Sequence, residues 1–361
     1  MIGRRGTITW GPRALTLFTD RYEAIRGFAC YLNDDPARPE IIFFHGDGGN
    51  GKSLLLRYLR QHCCKRLPAD EWLRAKTLHG DAFKTALEQS ARAEAVPVAS
   101  LDFGMPPQGI DRPRGALPAL LMLRRSLAGH GLHFPYFDFA AVRYLSAMNH
   151  TEAEIKAYFP IDQHGLVGLL IGALSAGGVV APPATVAAAA LAVFTDQLGP
   201  WFARYRLRSH LGLSELEDIQ ALEPQSELIE ELPALFSRDL NTTMAVDQAP
   251  KRVVLFFDAH EAFQGESGRS SSVRALGEDE WLRRLLHDLD PSSRIVVVVA
   301  GRERPRWPLA SATPIARERL DYRLVGHLSD AEASAYLHRA GVADDARGVV
   351  APAAADRDRE P

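Results

Sequence analysis

The sequence predicts an α/β protein in which helices cover both faces of a parallel sheet, and three observations predict it. A short apolar run at 41–44, a glycine loop at 46–51 and an amphipathic stretch from 52 succeed one another without a gap. Two later apolar runs, 253–257 ending in Asp258 and 295–300 ending in Gly301, have the length and composition of fully buried strands. Helical patterns lie between the runs, and strands that alternate with helices make a parallel, doubly covered sheet.

Along residues 20–32 apolar side chains recur at helical spacing, and Asn33-Asp34-Asp35-Pro36 closes that helix. The strand Ile41, Ile42, Phe43, Phe44 is β-branched and aromatic, with Pro39 before it and glycines after it. A helix over 52–66 sets Leu55, Leu56, Leu59 and Cys63 on one face. A helical stretch around 82–95 leads to a second buried strand over 97–103. Residues 41–103 thus form the first half of the core and 251–327 the second, with 104–250 as a mainly helical insertion.

The insertion opens with a loop over 104–114 and a helix in LPALLMLRRSLAGH. Inside it, 165–194 carries no charge and is long enough for a membrane span, but Pro182-Pro183 and several glycines cut it into two short pieces. Two readings stand: a buried or interface helical hairpin, and membrane contact, the latter favoured by Arg204, Arg206 and Arg208 just downstream. In the second half of the core a Ser/Gly loop follows Phe263, then a helix from about 279 to 289 that stops at Asp290-Pro291. The tail over 343–361, rich in Ala, Asp, Arg and Pro, is expected to be disordered.

A chain of 361 residues with 46% apolar composition can bury a sizeable core. Its formal charge of −3 gives no global reason to expect nucleic acid or an anionic membrane as the main partner. The three cysteines are Cys30 and the adjacent Cys63 and Cys64, which as helix neighbours do not readily meet disulfide geometry. A reducing compartment follows. The start MIGRRGTITWGPR lacks the apolar stretch and cleavage site of a secretory signal, so a cytoplasmic location is expected, with membrane association through 165–194 as the open variant.

The stretch GDGGNGKS at 46–53 fits the phosphate-binding pattern G-x-x-x-x-G-K-[ST]. Gly46, Gly48, Gly49 and Gly51 admit backbone conformations closed to other residues and bring N–H groups close to phosphate oxygens. Asn50 shapes the turn, and the helix that begins near Lys52 presents its positive end. Lys52 is expected to reach the β- and γ-phosphates and the Ser53 hydroxyl to ligate Mg²⁺, with Asp47 and Leu54 completing the nucleotide-binding stretch.

VVLFFDAHEAF at 253–263 puts an acid at the C-terminal end of a buried strand, where open parallel sheets bind ligands. Asp258 is the candidate to hold Mg²⁺ and Glu261 the candidate to polarise an attacking water, with His260 between them as a neighbour of the γ-phosphate. The plainer alternatives are a helix cap for Asp258, a solvated acid for Glu261 and a packed histidine for His260. The strand in RIVVVVAGRERPRW delivers Arg302 to the same edge, as a γ-phosphate contact or as part of a solvated cluster with Arg304 and Arg306.

With these blocks in hand, the chain resembles the STAND class of signal-transduction ATPases, P-loop relatives of AAA+ proteins that include NACHT and NB-ARC members. LFTDRYEAIRGF at 17–28 is similar to the motif that precedes the phosphate loop and lies against the adenine, which makes 1–40 a lead-in with an adenine-side helix. FFHGDGGNGKSLLLRYL resembles the Walker A block, VVLFFDAHEAF the Walker B block, and VVVVAGRERPRW the sensor strand with Arg302 at the sensor position. LVGHLSDAEASAYLHRAGV resembles the start of the helical lid, placed over 328–342. The AAA+ pattern has a second acid directly after the Walker B aspartate, whereas Ala259 stands there and the acid comes at Glu261, so slow hydrolysis is implied. The winged-helix region of the class is not visible in the sequence.

The resemblance implies ATP and Mg²⁺ as cofactors; ATP is favoured over GTP because no NKxD-type guanine-reading element stands in the expected places. It implies a nucleotide-controlled switch that offers a surface to a protein partner, or to another copy, in the ATP state. Two other functions remain open: a turnover ATPase or phosphotransferase whose substrate sits on the 104–250 insertion, and an interaction module that uses nucleotide without hydrolysing it.

Overall fold

Side chains that alternate along five parallel strands sort the apolar residues of this protein into two separate cores. The computed structural model describes residues 21–162, 165–176, 182–246, 249–264, 278–326 and 338. Its strands are β1 (Ile41–His45), the short β2 (Lys65–Arg66) and β3 (Glu94–Ala95), then β4 (Val98–Asp102), β5 (Val253–Asp258), β6 (Ile295–Ala300) and β7 (Leu320–Leu324). The main sheet has the order β4-β5-β6-β1-β7 with every pairing parallel, while β2 and β3 pair antiparallel on their own.

Successive strand residues point to opposite faces. Phe43, Leu101, Leu255, Phe257, Val297 and Val299 accordingly join one core, and Ile42, Phe44, Val254, Phe256, Val296 and Val298 the other. The second core is closed by helices α1 (Tyr22–Asn33), α2 (Lys52–Tyr58), α3 (Ala69–Ala75) and α4 (Gly80–Gln89). The first is closed by the inserted helices α5 (Ala116–Ala128), α6 (Pro135–Ala147), α7 (Glu152–Tyr158), α8 (Leu166–Ala176), α9 (Pro183–Ser209), α10 (Leu213–Ala221) and α11 (Ile229–Ala245), with α12 (Glu280–Asp288) beyond them. Both faces of the sheet are therefore covered, and the polar ends of the strands are left as the surface on which chemistry can be arranged.

Two buried polar groups organise the insertion. The fully buried Asp239 carboxylate accepts from the Tyr136 and Phe137 N–H groups, at 3.2 and 2.7 Å, and from the Tyr205 hydroxyl. It thereby caps the start of α6 from a helix remote in sequence. Arg124 and Asp138 form a bidentate buried pair, Nε to Oδ1 at 3.0 Å and Nη2 to Oδ2 at 2.8 Å.

Several element boundaries differ from the sequence expectations. The helix expected over 52–66 continues beyond Tyr58 as a π-helical turn over Leu59–Cys63 and then gives way to β2 at Lys65. The helix expected to 95 stops at Gln89, because Glu94 and Ala95 are taken up as β3 by pairing with β2, a contact no local pattern records. In the charge-free stretch, Pro182-Pro183 starts α9 and does not merely break a helix, since a proline at the first helical position forfeits no hydrogen bond. That helix continues past 194 to Ser209 and kinks at Gly199, where φ is 44° and Pro200 follows.

Leu166, Val167, Leu170 and Ile171 of α8 and Val186, Ala187, Ala190 and Phe194 of α9 are buried in the first core. By length and composition, α9 also passes as a helix able to cross a membrane. The Ser/Gly loop over 265–277, the lid over 328–342 apart from position 338, the tail over 343–361 and the first part of the 17–28 motif lie outside the described residues.

Candidate functional site

The ends of β1, β4, β5 and β6 bring one loop and four polar side chains to the same edge of the sheet. β1 runs into the glycine loop at Gly46, whose N–H bonds the Arg302 carbonyl at 3.0 Å. Gly46 adopts φ 145°, and a Cβ there would lie 2.4 Å from the Val325 carbonyl oxygen, so backbone conformation and space both demand glycine. Gly51 caps α2 in the left-handed region, and no side chain caps that helix. Within 46–53 only the Gly46 and Asn50 N–H groups have a backbone acceptor among the described residues. The N-terminal donors of α2 thus form a ready site for an anion.

Lys52 folds back over this loop. Its ammonium donates to the Gly46 and Asp47 carbonyls at 2.5 and 2.8 Å, and the residue is only 8% exposed. Burial pulls its pKa below the usual lysine value, opposed by the negative charges of Glu261 and Asp258. Asn50 ties the loop to the end of β7 through its side-chain amide and the Val325 carbonyl, 3.1 Å, and Arg21 donates to the Asn50 carbonyl at 2.9 Å. Leu54 packs against the second core.

The strand next to β6 supplies Asp258. Its carboxylate accepts from the Ala259 N–H at 2.8 Å and has the Ser53 hydroxyl beside it. Burial is the main reason its pKa is pushed up to about 6; the Ser53 hydroxyl pulls it down and the neighbouring Asp102 pushes it further up. Asp102 is the last residue of β4 and stands in register with Asp258. Burial raises its pKa too, with Glu261 adding to the effect. Glu261 faces Arg302, Oε1 to Nε 3.3 Å, while its Oε2 is buried without a hydrogen-bond partner among the described residues. The Arg302 guanidinium lies over the loop, 3.6 Å from where a Gly48 Cβ would be.

Lys52, Ser53, Asp258, Glu261 and Arg302 are thereby assembled around one edge, as are the glycines of the loop. His260 is not among them. Its ring turns into the first core, edge-on to Phe43 and Trp307, and its Nε2 bonds Asp279 at 3.0 Å. The packing alternative is the one its geometry supports, because the positive φ of Ala259, 56°, ends the strand's alternation before His260. Sequence reasoning passed over Asp102, although an acid ending a buried strand is the same signal that singled out Asp258.

Comparison with family models, with curated proteins and with solved structures returns no match. The geometry alone therefore bears on chemistry. Among the described residues no group of three or more His, Cys, Asp or Glu side chains is arranged to hold a metal ion. What the site offers instead is a hydroxyl and a carboxylate side by side, an ammonium, a guanidinium and a set of backbone donors at the start of α2. Such a set suits an anion that brings its own oxygen ligands.

Proposed function

We propose that this chain is a P-loop NTPase of the STAND class, an ATP-binding, Mg²⁺-dependent signalling switch with slow hydrolysis. The observation that carries the proposal is the Ser53 hydroxyl beside the Asp258 carboxylate and the buried Lys52 ammonium, at the uncapped start of α2. Phosphates suit the free N–H groups of the loop, and Lys52 can exchange its two carbonyl acceptors for phosphate oxygens.

Magnesium prefers oxygen ligands and keeps several waters, so one hydroxyl and one carboxylate from the protein are a fitting contribution when phosphates supply the rest. Ser53 and Asp258 would hold the ion, whose role when bound is to neutralise phosphate charge. A bound cation would also return Asp258 to its ionised form, which burial otherwise disfavours.

Glu261 is the candidate to orient the attacking water, but it is paired with Arg302. It must leave that pair to serve as a base, and this supports slow turnover. Arg302 would then be free to meet the γ-phosphate, so nucleotide state would be read at the Glu261–Arg302 pair. The output is proposed to be a surface offered to a protein partner or to a second copy, with membrane contact through 165–194 as a further interaction and the cytoplasm as the location.

The test is to measure nucleotide binding, hydrolysis and particle size together for wild type, Lys52→Ala and Asp258→Ala. Wild type should take up ATP with Mg²⁺, and both variants should lose hydrolysis. Absence of purine nucleotide uptake by wild type, or hydrolysis untouched by both substitutions, would overturn the proposal.

A further inference from the structure

We propose that Asp279 is the positioning residue that sets Glu261 against Arg302, because its buried carboxylate ties the turn carrying one to the turn carrying the other. The catalytic part of this proposal rests on the nucleotide reading above; the mechanical part does not. Asp279 immediately precedes α12 and is 3% exposed. Its Oδ2 receives the Trp307 indole N–H at 2.7 Å and His260 Nε2 at 3.0 Å, and its Oδ1 receives Arg283 Nε at 3.0 Å.

His260 begins the turn His260–Gln264, which contains Glu261, and Trp307 begins the turn that closes the segment leading from Arg302. One carboxylate therefore holds both exits from the sheet. The two exits also touch directly: a Cβ on Gly301 would lie 3.1 Å from the Phe43 ring and 3.3 Å from the His260 Cβ.

This fastening is needed because the functional pair cannot fasten itself. The Arg302 side chain is 63% exposed, and an ion pair so open to water contributes little to holding its own geometry. Ala259, just before His260, sits at φ 56°, a conformation a non-glycine residue keeps only where its surroundings enforce it. The buried cluster of His260, Asp279, Trp307 and Arg283 is such an enforcement: a buried carboxylate with three donors is held, and removing a donor leaves it under-satisfied. Burial alone would raise the Asp279 pKa, and the bonds from His260, Trp307 and Arg283 bring it below the usual value instead.

Hydrogen exchange of the full chain without nucleotide tests the joint. Asp279→Asn should speed exchange in both turns, 259–264 and 301–307, while β1 stays protected. His260→Phe should loosen only the first turn and Trp307→Phe only the second. If Asp279→Asn does not fold, these two variants still decide. Neither turn loosening, or β1 loosening equally, overturns the proposal.

The second arm is kinetic. Asp279→Asn should lower kcat for ATP hydrolysis by about tenfold with KM changed by less than about threefold, and should cost nothing further in a Glu261→Gln background. Loosened turns with unchanged kcat overturn the proposal. A wild type that binds no nucleotide removes the nucleotide reading, and the exchange arm then decides the joint alone.

Discussion

The Ser53 hydroxyl stands beside the Asp258 carboxylate although β1 and β5, the strands that lead to these residues, are separated in the sheet by β6. The contact spans the intervening strand because Ser53 projects from the start of α2, after the loop has carried the chain sideways. With the Gly46 N–H bond to the Arg302 carbonyl, it joins the two halves of the core at the site. Predictions follow from it and from its neighbours.

Lys52→Ala removes the ammonium that bridges the Gly46 and Asp47 carbonyls. Under the proposed reading, calorimetry should find ATP affinity lowered by about tenfold or more, since the positive charge that would meet the phosphates is lost. Circular dichroism should still report the wild-type helix content, because the lysine supports a loop and not a core.

The raised pKa of Asp258 makes stability depend on pH in a defined direction. Unfolded, the carboxyl titrates at the ordinary 3.8; folded, at about 6. Between those values the folded state binds more protons, so this group's contribution to stability declines as pH rises through the window. Asp258→Asn should therefore stabilise the nucleotide-free protein near neutral pH, by on the order of 2 kcal/mol, and the advantage should vanish near pH 4. Urea melts of both proteins across that range check the sign.

Gly46→Ala and Gly49→Ala should differ. Both positions have positive φ, but a Cβ at Gly46 meets the Val325 carbonyl whereas at Gly49 it meets open space. Gly49→Ala should cost about 1 kcal/mol from backbone strain alone, and Gly46→Ala about 2 kcal/mol or more. Thermal denaturation distinguishes them, and equal costs would contradict the geometry.

In the insertion, Arg124→Ala leaves the wholly buried Asp138 without its bidentate partner. Breaking such a pair from one side should cost about 3 kcal/mol or more. The double variant Arg124→Met with Asp138→Leu should recover much of that loss in chemical denaturation.

Arg302→Ala should reduce the preference for ATP over ADP, since under the proposed reading the guanidinium contacts only the terminal phosphate. Paired binding measurements with the two nucleotides check this. An unchanged ratio would assign the arginine to the Glu261 pair alone.

What could be read from the chain in advance was local. The succession Ile41 to Ser53 is legible because strand, turn and helix each follow from short-range rules: β-branching, glycine conformational freedom and apolar spacing. Asp258 and Arg302 are legible for the same reason, as the first polar positions after buried runs. The β2–β3 pair was not legible, because Lys65 and Ala95 meet only through the folded chain. The extent of α9 is not legible either, because a proline that breaks one helix also serves to start the next.

Local rules along the chain suffice to specify a parallel sheet with a glycine loop after its first strand, since period and turn chemistry act within a few residues of one another. The tertiary structure alone decided which end groups share the edge: that β6 lies between β1 and β5, that Asp102 stands opposite Asp258, and that His260 turns inward to Asp279. The physical reason is that strand order and burial are settled by packing two cores at once, and no single segment carries that information.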